Sequence, residues 1–279
     1  MIYLIACILC ALAWTASYRL SLGKGCEPVG TMTGIGTTSL LVALIISVAE
    51  GNARFNRAAA LLGICGGFCM YLAVFCYFHL LKRGARLGIS WTIVTLSMII
   101  PTAGSILLWH EVPSMLGWFS LLLTVVSIVV LGRFKEKGSS MGKRDILYLS
   151  AAFIFSGVAA LIAKAVVALS FEQHRNIYFI FIFATMLLIA LCVDMITRRL
   201  PSRKELLSGG AMGLAGIGNY WFLVRALRDV PGIVVFPFRT CGSILLTLIV
   251  SRFAWRERLK PLEIAGVVLA MIAIALMSL

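Results

Sequence analysis

The chain has 279 residues, of which 61% are hydrophobic and 13% charged, with a net charge of +14. An average soluble domain is about 45–50% apolar and about 25% charged, so a soluble fold could not hide this much apolar surface. The Lys and Arg stand in short clusters between apolar runs, which excludes a nucleic-acid reading of the charge and suits loops beside anionic lipid and cytoplasm.

A bilayer core about 30 Å thick takes about 20 helical residues. Apolar runs bounded by charge, Gly or Pro predict ten such helices, at 2–19, 30–49, 58–81, 88–109, 114–132, 146–168, 176–196, 207–227, 231–251 and 261–278. The first is read as a retained helix, because Leu4-Ile5-Ala6-Cys7 resembles a lipoprotein cleavage site without a basic start or a long enough apolar run before it. It carries Trp14. The third holds Tyr71 and the small pair Gly63 and Gly67, which lets helices approach closely. The fourth runs from Trp91 through Pro101 to the turn Trp109-His110-Glu111.

Residues 133–145, from Arg133 to Asp145, are the most polar stretch and fall near the midpoint, so they read as a basic linker between a first repeat (1–132) and a second (146–279). In the second half, Lys164 lies in the last turns of its helix and Asp194 near the end of the next. The following helix carries Gly209, Gly213, Asn219, Tyr220, Trp221 and Arg225. The ninth holds Pro237 and Arg239, and the tenth opens with Glu263.

The halves match at their ends. Trp109-His110-Glu111 precedes an apolar helix, and so does Trp255-Arg256-Glu257, 146 residues later. Five helices per repeat is an odd number, so the second copy enters the membrane inverted and a substrate site falls near the midplane between the halves. Loops after odd-numbered helices hold 18 Lys or Arg and loops after even-numbered helices hold 4, which places both termini outside.

These residues resemble the EamA-type branch of the drug/metabolite transporter superfamily. The likeness rests on Ala11-Leu-Ala-Trp14, on helices closing at Glu111 and Glu257, and on the run from Trp255 to Gly266. It implies a ten-helix carrier of a small metabolite in the plasma (inner) membrane, with both termini cytoplasmic, opposite to the charge count. The chain departs from the family in its prolines, since Pro101 stands 10 residues before Glu111 and Pro237 stands 20 before Glu257.

Charge inside the hydrocarbon layer costs about 2.5–3.5 kcal/mol per residue on insertion scales, so each instance points to a role. Arg239, near the middle of its helix and two residues after Pro237, is the sharpest: a kink there opens a helix toward a cavity, and the guanidinium suits a carboxylate or phosphate. Its structural alternative is satisfaction by carbonyls or by Asp194. Lys164, Asn219, Trp91, Tyr71 and Trp14 complete the candidate substrate-binding set, each with packing or snorkelling as the alternative. Glu111, Glu257 and Glu263 read as helix-start residues and His79 as too isolated to relay protons.

Seven of the eight Cys lie in apolar segments, and Cys65 and Cys69 lack a further ligand on their turn, so disulfides and metal binding are not expected. Phosphate-loop, HExxH and GxSxG motifs are missing. The expectation is therefore an all-α polytopic membrane protein that is not an enzyme, needs no cofactor or metal, binds no nucleic acid, and sits in the bilayer as a monomer or homodimer. Its job is secondary transport of a small anionic or zwitterionic molecule by alternating access. The rival readings are export of cationic or apolar drugs, for which Asp194 is the candidate acid, and a membrane subunit or enzyme acting on lipid-linked substrates, for which Arg252, Arg256, Arg258 and Lys260 form the candidate basic group.

Overall fold

A computed structural model describes residues 2–51, 55–85, 87–112, 114–132, 142–254 and 261–277, and these contain helices and no strand. The helices are α1 (Ile2–Gly23), α2 (Pro28–Ala49), α3 (Arg57–Lys82), α4 (Leu87–Thr95), α5 (Ile99–Trp109), α6 (Met115–Gly132), α7 (Lys143–Ala168), α8 (Arg175–Ile196), α9 (Arg203–Asp229), α10 (Gly232–Ala254) and α11 (Pro261–Met277). Five of them, α1, α2, α3, α7 and α8, are long and apolar enough to cross a membrane, and the remainder include shorter apolar helices. The chain is an all-α polytopic membrane protein.

Two local features differ from the sequence expectation. The run 88–109 is broken into α4, a 3₁₀ turn at Leu96–Met98, and α5. Pro101 lacks the N–H that would bond the Ser97 carbonyl four residues back, so the ladder changes pitch there. Helix starts also reach further into polar sequence than hydropathy indicates. α9 begins at Arg203 because the Ser202 hydroxyl accepts from Glu205 N at 3.3 Å while the Glu205 carboxylate accepts from Ser202 N at 2.7 Å. α7 begins at Lys143, within the expected linker, with Asp145 accepting from Gly142 N at 3.0 Å and pairing with Arg83. The rest of that linker, residues 133–141, and the segment 255–260 with Trp255, Arg256, Glu257, Arg258 and Lys260 lie outside the described residues.

The packing is interleaved. α3 lies against α7 and α8, α9 lies against α1 and α2, α2 faces α8, and α6 pairs with α11. Each pairing has a counterpart with the roles of early and late helices exchanged: α1–α9 with α7–α3, α2–α9 with α8–α3, and α1–α10 with α7–α5. Glycines set the spacing at the two equivalent crossings. A Cβ on Gly63 of α3 would come within 2.8 Å of the Tyr178 carbonyl on α8, and one on Gly213 of α9 within 2.8 Å of the Ile35 carbonyl on α2. Gly67 and Gly209, one turn away from each, abut the backbones of Ile182 and Thr31. Small residues here let backbones touch where lipid gives no hydrophobic drive for association.

Polar side chains gather at the two ends of the bundle. At one end Glu27 pairs with Lys82 at 2.6 Å, and the buried Glu205 accepts from Glu27 N at 2.9 Å and from Arg199 at 2.8 Å. At the other end Glu50 accepts from Arg175 at 2.7 Å and Asn176 at 3.1 Å, and Arg225 lies over Trp221 at 4.5 Å. The middle of the bundle, where the helices carry few charges, holds the cavity.

Candidate functional site

A central cavity of 120 Å³ is lined from the middle stretches of α1, α3, α7, α9 and α10 and from the broken α4–α5 segment. The 3₁₀ turn places Ser97 and Met98 on its wall, next to Val94 and Thr95 of α4. On α3 the lining residues Met70, Ala73, Val74 and Tyr77 follow the three- and four-residue spacing of one helix face.

Arg239 is the one charged residue on the described lining. Its Nη2 donates to Asn219 Oδ1 at 2.7 Å, and Asn219 Nδ2 donates to the Cys7 carbonyl on α1 at 2.8 Å. The amide thus faces the guanidinium with its oxygen and the α1 backbone with its nitrogen, so α1 and α9 together aim the cation. The Arg239 Nε is buried with no hydrogen-bond partner, and among the described residues no acid pairs with this arginine. The guanidinium has five donors and a fork that matches a carboxylate or phosphate, so it keeps capacity for an anion.

Another part of the lining is aromatic. Trp14 and Trp91 stack with centroids 5.4 Å apart, and Tyr77 tilts against Trp91 at 5.6 Å. The Trp91 indole N–H donates to Ser243 Oγ at 3.2 Å, tying α4 to α10 at the cavity lining.

Four of the six candidate residues, Arg239, Asn219, Trp91 and Trp14, meet on this lining, and Lys164 and Tyr71 do not. Lys164 is buried and pairs with Glu111 at 2.5 Å, instead of snorkelling. α5 ends at His110 in the left-handed region, φ 52°, which turns Glu111 back over the bundle. The second Glu111 oxygen accepts from Ile233 N at 3.1 Å, so this acid caps α10, not the helix that follows it in sequence. Tyr71 is buried beside Asp194 on another face of α3, its hydroxyl without a partner. Asp194 accepts from the Thr33 hydroxyl at 2.5 Å, away from Arg239 and the cavity, so neither the structural alternative for Arg239 nor the cationic-cargo reading finds its acid there.

Sequence reasoning missed Tyr77, Ser243 and Thr240 on the lining, which Tyr220 also joins. Ser243 lies one turn after Arg239 and Thr240 directly beside it, a signal that was available. The neighbouring Trp221 is not on the lining and lies against Arg225.

No curated protein matches the chain in sequence. A solved crystal structure of a protein matches it with a TM-score of 0.72 at 18% identity, covering 99% of this chain and 98% of that one, which speaks to the shared fold alone. The model of the EamA-like transporter family matches residues 143–279. That match, over the half of the molecule that supplies Arg239 and Asn219, identifies the chain as a member of the EamA-like transporter family, an integral membrane protein that transports small compounds.

Proposed function

We propose that the protein is a secondary carrier in the plasma membrane that moves a small organic acid, anionic or zwitterionic, by alternating access, with Arg239 as the group that holds the acid. The observation behind this is the one charged residue on the described lining, Arg239, held by Asn219 at a central cavity that has no described acid on its lining. Intramembrane charges mark substrate paths.

The reciprocal pairing of helices supports an inverted-repeat mechanism. The packing favours moving bodies that cut across the two halves of the sequence, since α3 packs with α7 and α8 while α9 packs with α1 and α2. Rocking α1–α2–α9 against α7–α8–α3 exposes the cavity to one side of the membrane at a time.

Proteoliposome counterflow tests the reading. Vesicles holding wild-type protein and an unlabelled organic acid accumulate the labelled acid, while Arg239→Leu, folded by its thermal unfolding, does not. Accumulation at the wild-type rate by the variant refutes the assignment of Arg239.

A further inference from the structure

Resting on that reading, we infer that the cargo is a compact ring compound with one acidic group and no ammonium group. Three features of the cavity carry this.

The first is the aromatic wall. Trp14, Tyr77 and Trp91 come from three separate helical segments yet pack on one another with centroids 5.4–6.3 Å apart. Trp14 and Tyr77 are buried, whereas Trp91 is only half-buried, so Trp91 presents the accessible ring. Its indole N–H is already engaged by Ser243. That leaves the flat apolar ring as its recognition surface, held rigid before any ligand arrives. Rings bind such a surface by offset stacking or edge contact at little entropic cost.

The second is the anchor. Arg239 stands on α10, four residues before the Ser243 that holds Trp91, so the acid-binding end and the ring-binding wall are linked through one helix. An acid on the guanidinium therefore places the attached ring along the cavity wall, the arrangement of a molecule whose acid and ring are one or two bonds apart.

The third is charge. The polar side-chain groups on the described lining are hydroxyls, two indole N–H groups, one amide and one guanidinium, with no carboxylate. A cargo ammonium would enter beside Arg239 with no carboxylate on the described lining to offset their repulsion in a low-dielectric cavity. An amino acid is disfavoured on this ground relative to the same molecule without its amine.

A matched series tests each part on the purified full-length protein by isothermal titration calorimetry: phenylacetate, phenylalanine, phenethylamine and acetate. Phenylacetate is expected to bind at least about tenfold tighter than each of the others, and Trp91→Leu to lose about tenfold for phenylacetate alone. Phenylalanine binding as tightly as phenylacetate overturns the exclusion of ammonium. Acetate binding as tightly as phenylacetate overturns the ring, without reliance on any variant. Equal binding of phenylacetate by wild type and Arg239→Leu, or tighter binding of phenethylamine, breaks the acid-anchor reading itself, and the inference falls with it.

Discussion

The Arg239 guanidinium on α10 meets the Asn219 amide oxygen on α9 at 2.7 Å, so the cation in the middle of the bundle leans on a neutral partner. Replacing that amide by a carboxylate tests whether neutrality is the point. Asn219→Asp gives Arg239 a permanent counterion, and we expect organic-acid binding to weaken by about tenfold or more while the thermal unfolding midpoint is kept or raised. Calorimetric titration alongside a melting curve separates this from misfolding.

Lys164 and Glu111 form an ion pair whose side chains are 8% and 19% exposed, and Glu111 also caps α10. Removing one partner of such a pair strands the other charge, at a cost of about 3–5 kcal/mol, and removing both is far milder. Lys164→Met should therefore lower the melting midpoint more than the double variant Lys164→Met, Glu111→Gln. Acid affinity in the double variant should stay near wild type, since neither residue lines the cavity.

The sequence carries much of this site and misses some of it for definite reasons. Arg239, Asn219, Trp14 and Trp91 announce themselves as polar or large residues in the middle of apolar runs, and all four reach the cavity. Tyr71 fails because it lies off the stripe formed by Met70, Ala73, Val74 and Tyr77, a distinction of helix phase that cannot be made until the direction of the cavity is known. Lys164 fails because its partner arrives through the left-handed residue His110, and a non-glycine at positive φ leaves little trace in hydropathy. The break at Leu96–Met98 was half legible in Pro101, but the 3₁₀ turn that brings Ser97 to the cavity depends on packing against α7.

At the equivalent crossings α3–α8 and α9–α2, an added methyl meets backbone. Gly67→Ala and Gly213→Ala should each destabilise by about 1–3 kcal/mol, read as a lower thermal midpoint in detergent. Gly210→Ala, whose new Cβ meets only the Thr38 hydroxyl at 3.2 Å, serves as the control and should stay within about 0.5 kcal/mol of wild type. Equal effects at Gly210 and Gly213 would show that helix flexibility, not close approach, dominates.

α2 carries an acid at each end, and each grips a cation of the opposing helix group: Glu27 with Lys82 of α3 at one face, Glu50 with Arg175 of α8 at the other. Pairs at the rim are worth about 0.2–1 kcal/mol, too little to move stability much but enough to bias which face opens. Lys82→Gln and Arg175→Gln are expected to change the counterflow rate while leaving acid affinity within about twofold. Wild-type rates in both variants would remove these pairs from the transport cycle.

The central claim is that Arg239 binds an acid in the midplane cavity, and the most direct measurement is ligand-induced thermal stabilisation of the purified protein with Arg239→Leu alongside. A ligand that binds only the folded state raises its stability by about 2.7 kcal/mol at a hundred times its dissociation constant, so a bound class stands out in a panel of organic acids, zwitterions, neutral compounds and amines. The account predicts that an acid raises the wild-type midpoint and leaves the variant unmoved. Stabilisation by amines alone, equal in both proteins, would contradict it.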